Sequence, residues 1–150
     1  MNLTDCGHKH LLGITIRTRN ENERSRETAQ IPGLWKTFYE EIYKKVLNGE
    51  TVYGVYSGYE SDHAGYFDVS AAVEKVGNEV EQKDVKPIVL QSGKYLKFTS
   101  KSEGDNQIWQ LWEQVWEFFS DENQELERAY TTDYEVFYPN KEVELYIAIK

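Results

Sequence analysis

One cysteine, Cys6, in 150 residues leaves no internal partner for a disulfide. That excludes an oxidised scaffold and any multi-cysteine zinc site, and it fits a reducing compartment, so a cytoplasmic setting is expected. Long apolar runs are missing as well. No stretch approaches the roughly 18 consecutive apolar residues of a membrane span, and the polar start from Met1 to Lys9 lacks the apolar heart of a secretory leader. Basic residues are the minority, 17 Lys and Arg against 26 Asp and Glu, for a formal net charge of −9. Phosphate attraction needs clustered cations, so direct nucleic-acid binding is excluded, whereas a cationic molecule would be drawn in. The same charge also serves solubility alone. Catalytic signals are thin: no Ser-His-Asp order stands out, and Cys6 falls within residues 1–8, which are expected to be flexible. Cys6, His8 and His10 alternate near the start and His63 follows Asp62 in a loop, but a fourth ligand is lacking nearby, so neither metal nor cofactor is expected.

Aromatic side chains are abundant, with 11 Tyr, 6 Phe and 4 Trp. Their placement follows two periodicities. From His10 to Thr18, alternation sets Leu12, Ile14 and Ile16 on one face of a strand. After a polar connection from Arg19 to Thr28, the segment IPGLWKTFYEEIYKKVL has Leu34, Phe38, Ile42 and Val46 at helical spacing beside Trp35 and Tyr39. Pro32 suits the first turn and Asn48-Gly49 the stop. Strands follow near Thr51–Ser57 and Gly65–Val76, joined by the polar loop GYESDHAG. A charged bend from Gly77 to Lys86 leads to an expected hairpin at Ser92-Gly93 and the strand KYLKFTS. A second helix runs from about Asp105 to Phe119, with Ile108, Trp112, Val115 and Phe119 on one stripe and Trp109 and Trp116 alongside. A strand from Tyr130 to Tyr138, a turn at Pro139-Asn140 and the strand VELYIAI close the chain.

No linker divides the sequence, so residues 1–150 are read as a single domain. Its halves, about 9–80 and 86–150, overlay weakly, Leu34-Trp35 and Phe38 on Ile108-Trp109 and Trp112, and FDVSAAV on VELYIAI. The expected fold is α+β: duplicated β-α-β-β units forming one antiparallel sheet of about eight strands, with two main helices and a central cleft.

Aromatic stripes at helical spacing are core more often than ligand site. Carboxylates on the strands beneath these helices shift that balance. In TTDYEVFYP, alternation puts Glu135 on the side of Asp133 and Phe137, opposite Tyr134, Val136 and Tyr138. No Lys or Arg lies close to Glu135 in sequence, Arg128 being the nearest on that side. A carboxylate enclosed by rings loses hydration and its pKa rises unless a donor or cation compensates, so the missing partner would be a cationic ligand. Glu144, aligned with Tyr146 and Ala148, is a second candidate with less hydrocarbon around it. The plainer alternative is that Glu135 hydrogen-bonds a backbone or tyrosine group and binds nothing.

Taken together, IPGLWKTFYEEI, YGVYSGYESDHAGYFDVSAAVEKV, the second helix, DYEVFYP and VELYIAIK make the chain resemble the gyrase-inhibitor-like small-molecule-binding domain, from about Lys9 to Lys150. The same domain is the effector-binding part of AraC-type and MerR-type activators, and the chain is also similar to bacterial mobile-cassette-encoded versions that bind cationic drugs. The resemblance implies a central pocket with an acidic residue on the penultimate strand, matching Glu135. It places helix aromatics at Trp35, Trp109 and Trp112, and strand aromatics near Tyr66 and Phe98. Phe38, Phe137, Glu144 and Tyr146 complete the candidate ligand set. Ala148 stands where the family usually has proline, and the regulators' helix-turn-helix has no room here. The expected function is multidrug-type binding of small lipophilic cations by a stand-alone sensor or sequestering module. Two alternatives stay open: a hydrolase, with Glu135 as base and Tyr66 or Tyr146 as donor, and a protein-interaction module with a protein partner or a homodimer.

Overall fold

Consecutive buried residues in the central strands show that both faces of the sheet are covered. In a computed structural model describing residues 1–43, 50–74, 85–100 and 107–150, β3 (Val52–Ser57), β4 (Phe67–Val73) and β7 (Thr132–Phe137) each bury at least four residues in a row. Strict alternation describes a sheet with one wet face. Here helices cover one face, and the sheet curls so that the other face packs on itself.

The remaining strands are β1 (Asn2–Cys6), β2 (Lys9–Thr18), β5 (Lys86–Leu90), β6 (Gly93–Thr99) and β8 (Val143–Ala148). All eight form one antiparallel sheet in the order β1-β6-β8-β7-β3-β4-β2-β5. Read outward from the β7–β3 pair, the order mirrors itself: β8 matches β4 and β6 matches β2. The fold is therefore two β-α-β-β units about a pseudo-twofold axis, as expected from the overlay of the two halves.

Two expectations fail at the edges. Residues 2–6 are not a flexible lead-in but an edge strand, paired along its whole length with β6. The hairpin at Ser92-Gly93 does not form either, because β5 pairs with β2 while β6 pairs with β1 and β8. Each half sends its leading strand to the outer edge of the other half, through links of only two residues, 7–8 and 91–92. Three Cα steps span at most about 11 Å, so at this corner the two sheet edges must stand side by side. A hydrogen bond between His8 and Ser92 joins the two links. Leu11, Tyr53, Leu90, Tyr95 and Tyr134, drawn from five strands, then meet in one inner cluster.

Among the described residues, three α-helices lie on the outer face: α1 (Asn20–Glu23), α2 (Ile31–Thr37) and α3 (Gln107–Ser120). The expected long first helix is α-helical only to Thr37 and continues as a π-helical turn, Phe38–Ile42. Leu34, Phe38 and Ile42 still face the core, since a wider turn keeps residues four apart in line. Val46, Asn48-Gly49, Val76, the bend up to residue 84, and Asp105 lie outside the described residues. On α3 the buried centre is Leu111 and Val115, with Ile108, Trp112 and Phe119 flanking it. The inward face keeps Val115 from the expected stripe but centres on Leu111 in place of Trp112, and that offset turns Trp112 toward the gap between α2 and α3. Phe137 packs against both outer clusters, at the seam of the two halves.

Candidate functional site

Over that seam lies a cavity of about 550 Å³, the size of an ordinary small-molecule pocket. The α2 side contributes Ile31, Pro32 and Trp35, α3 contributes Ile108, Trp109, Trp112 and Trp116, and the sheet contributes Tyr56, Phe67, Glu135 and Phe137. Tyr59 and His63 from the β3–β4 loop, with Glu23 and Arg128, complete the rim. Rings meet edge to face, Trp35 on Phe137 at 5.7 Å and Tyr56 on Trp112 at 5.1 Å, the geometry that ring quadrupoles favour. Trp109 and Trp116 are 56% and 43% exposed, so two large apolar side chains await cover.

Glu135 sits on the sheet floor beside the pseudo-twofold axis and is 4% exposed. Its Oε2 accepts from the Tyr56 hydroxyl at 3.0 Å and from Trp112 Nε1 at 2.8 Å. No cation pairs with it among the described residues. Burial pushes its pKa up to about 7, against a smaller downward pull from the Trp112 and Tyr56 hydrogen bonds. Its cross-strand partner is Gly54. A Cβ there would run into Glu135 Oε1 and crowd the Trp35 ring, so a larger residue would displace the carboxylate from this position.

Asp133, one side-chain repeat before Glu135 on β7, has the opposite electrostatics although it is fully buried. It accepts from Arg128 Nη2 at 2.8 Å, from the Tyr59 hydroxyl at 2.6 Å and from the Ala148 amide at 2.8 Å. Glu23 is likewise occupied, accepting from the Gln30 and Ile31 amides and the Thr18 hydroxyl. Of the three acids in and around the cavity, Glu135 is the buried one held by neutral side-chain donors alone.

The structure gathers Trp35, Trp109, Trp112, Glu135 and Phe137 around this cavity and places the other candidates elsewhere. Phe38 is fully buried beneath the first helix and Phe98 is 2% exposed beneath α3; both are core. Tyr66 lies outside the cavity, its ring under the Arg19 guanidinium at 5.1 Å, while its neighbour Phe67 points inward. Glu144 and Tyr146 are on the other face of the sheet, because Leu145 is the residue opposite Glu135. There Glu144 pairs with Lys97 at 2.6 Å and accepts from Tyr138 and Tyr146. Burial raises its pKa, yet Lys97 and the tyrosines more than offset that and leave it lowered. Cys6 borders a separate cavity of about 180 Å³ on this inner face. Tyr56, Gly54 and Tyr59 belong to the site without having been singled out, and Trp116, expected beside the stripe of the second helix, lines it as well. Alternation along VYGVYS, with Gly54 and Tyr56 on one face, was the available signal for the first two.

An α+β sheet curled under two helices, with an aromatic cavity at their seam and an acid on its floor, defines a small-molecule-binding domain. Residues 6–149 match the integron-associated effector-binding proteins (Cass2), and the chain belongs to that family. It is similar to the integron cassette protein from the mobile metagenome of Vibrio cholerae, with 33% identity and a TM-score of 0.89 over 99% of this chain and 95% of that one. The fold is shared with SAV2435 bound to tetraphenylphosphonium (20% identity, TM-score 0.69, 99% and 93% covered). A putative bacterial transcription regulation protein from Staphylococcus aureus MU50 has it too (19%, 0.69, 99% and 97%). No curated protein sequence matches significantly. Among the described residues, no helix is long and apolar enough to cross a membrane.

Proposed function

We propose that the chain binds lipophilic monocations, flat aromatic ones above all, as a cytoplasmic stand-alone sensor or sequestering module, with Glu135 as the counter-charge. The observation that supports this is a buried carboxylate with neutral donors only, on the floor of an otherwise aromatic cavity. At about 4 Å and an effective dielectric near 20, a cation and this carboxylate attract by roughly 4 kcal/mol before desolvation costs. Each Trp or Tyr face adds about 0.5–2 kcal/mol of cation–π attraction. Ring faces accept many planar partners, so breadth of specificity follows. Micromolar affinity, about −8 kcal/mol, is the expected range. The tetraphenylphosphonium held by SAV2435, a lipophilic cation on the same fold, is in keeping with this reading.

Titration calorimetry of Glu135→Gln against a dye cation and an uncharged analogue of equal size tests it. Loss of the charge is expected to weaken the cation about 10- to 100-fold, part of the ion-pair energy being offset by desolvation. The uncharged analogue should change less than about threefold. Equal weakening of both refutes the charge role.

A further inference from the structure

Resting on that reading of Glu135, we propose that the cleft has a second recognition point at Arg128. The preferred ligand is then a lipophilic cation bearing an uncharged hydrogen-bond acceptor, such as an ester, amide or ketone oxygen, remote from its charge. A second cavity of about 690 Å³ adjoins the first and shares Asn20, Glu23, His63, Trp109, Trp116 and Arg128 with it. Glu135 borders only the first cavity, and Arg128 stands where the two meet. A ligand anchored at Glu135 and extending along the cleft passes the guanidinium.

Arg128 is built for recognition and incompletely used. Its side chain is 8% exposed. The guanidinium stacks on the Tyr130 ring at 4.4 Å and is tied to Asp133 through Nη2, so its orientation is fixed before anything binds. Tyr130 itself is held at a φ of 53°, which non-glycine residues rarely adopt. Among the described residues, Arg128 Nε is the buried side-chain donor that has no acceptor. A guanidinium offers five N–H donors and accepts nothing, so only an acceptor can complete it. Nε is closed off from the cleft as well as unpaired, whereas Nη1 of the same guanidinium donates to no protein group among the described residues and is not enclosed, so it is the donor that an incoming oxygen meets.

What is missing at Arg128 is an acceptor and not a charge, because Asp133 already balances the cation. Glu23 on the shared wall would further oppose an anionic group. An uncharged oxygen accepts from Nη1 without either conflict.

The probes are three triphenylphosphonium cations on one alkyl chain, ending in a methyl ester, an alkyl group of equal size and a carboxylate. In the unmodified protein the ester is expected to bind about 10- to 100-fold tighter than the alkyl form, the worth of a hydrogen bond from a charged donor. The carboxylate should bind no tighter than the ester. Arg128→Met combined with Asp133→Asn removes both charges together and so avoids stranding a buried aspartate. In that double variant the ester-to-alkyl ratio should fall to about one. Equal affinities in the unmodified protein overturn the proposal whether or not the double variant folds, as does a ratio that survives in it. A carboxylate markedly tighter than the ester overturns the choice of a neutral acceptor. If Glu135→Gln leaves all three cations unaffected while the ester preference persists, the Glu135 reading fails and the Arg128 assignment stands.

Discussion

Glu135 on β7 and Glu144 on β8 are buried carboxylates on neighbouring strands, yet they look out from opposite faces of the sheet and differ in what balances them. Glu144 has an ammonium group 2.6 Å away and two phenols, and its pKa is lowered. Glu135 has a phenol and an indole, and its pKa is raised to about 7. Burial raises both, more strongly at the deeper Glu135, and at Glu144 the Lys97 charge and the tyrosines turn the balance downward. The charge of Glu144 is met inside the fold, whereas that of Glu135 is met only by neutral donors, which is the basis of the proposed cation site. Asp133 supports the same distinction, since Arg128 completes it.

The largest effect expected from this contrast is a pH dependence of cation binding. Above about pH 8 Glu135 is ionised and affinity should be flat; below about pH 7 binding must expel a proton, and affinity should fall toward tenfold per pH unit. Glu135→Gln should abolish the slope, as followed by fluorescence titration from pH 8 to pH 5. Stability runs the other way. The raised pKa means the folded form binds the extra proton, so the unliganded protein should lose on the order of 3 kcal/mol as pH rises from the ordinary carboxylate range through 7. Glu144 has the opposite sign: its contribution is present above the ordinary carboxylate pKa and is lost as pH falls through its lowered value.

Tyr56→Phe sharpens the contrast further. It removes one of the two donors to Glu135 and should move the midpoint of the binding profile up by about one pH unit, the worth of a hydrogen bond to a charged group. An unmoved midpoint would mean that the phenol is merely adjacent. The smallest expected effect on affinity comes from Lys97→Met, which strands Glu144 on the inner face. It should cost about 1–3 kcal/mol in chemical denaturation, less than a fully buried pair because Lys97 is partly exposed, while cation affinity changes less than about twofold. A large affinity loss there would break the separation of the two faces.

Helices, central strands and the acid on the penultimate strand were legible in the residues because each rests on local periodicity. Leu34, Phe38 and Ile42 recur at helical spacing, and Glu135 alternates with Tyr134 and Val136. Edge pairing was not legible. Ser92-Gly93 has the composition of a tight turn, but whether β5 folds back on β6 or crosses to β2 depends on where the other half of the chain lies. For the same reason residues 2–6 read as a tail. Phe38 read as a ligand group because a sequence shows that a ring faces inward and does not show whether a cavity or a neighbour fills the space beyond it; Phe98 entered through the family resemblance, which places aromatics only loosely.

The chain's own order of residues determined the α+β class, the duplication and the side of β7 on which Glu135 stands, since these follow from spacing along one segment. Tertiary structure alone decided that Glu144 meets Lys97, that Asp133 meets Arg128 and that Glu135 meets no cation among the described residues. Charge compensation is set by distance in space between groups far apart in the chain, and a Coulomb interaction depends on that distance and on the burial around it, not on sequence separation.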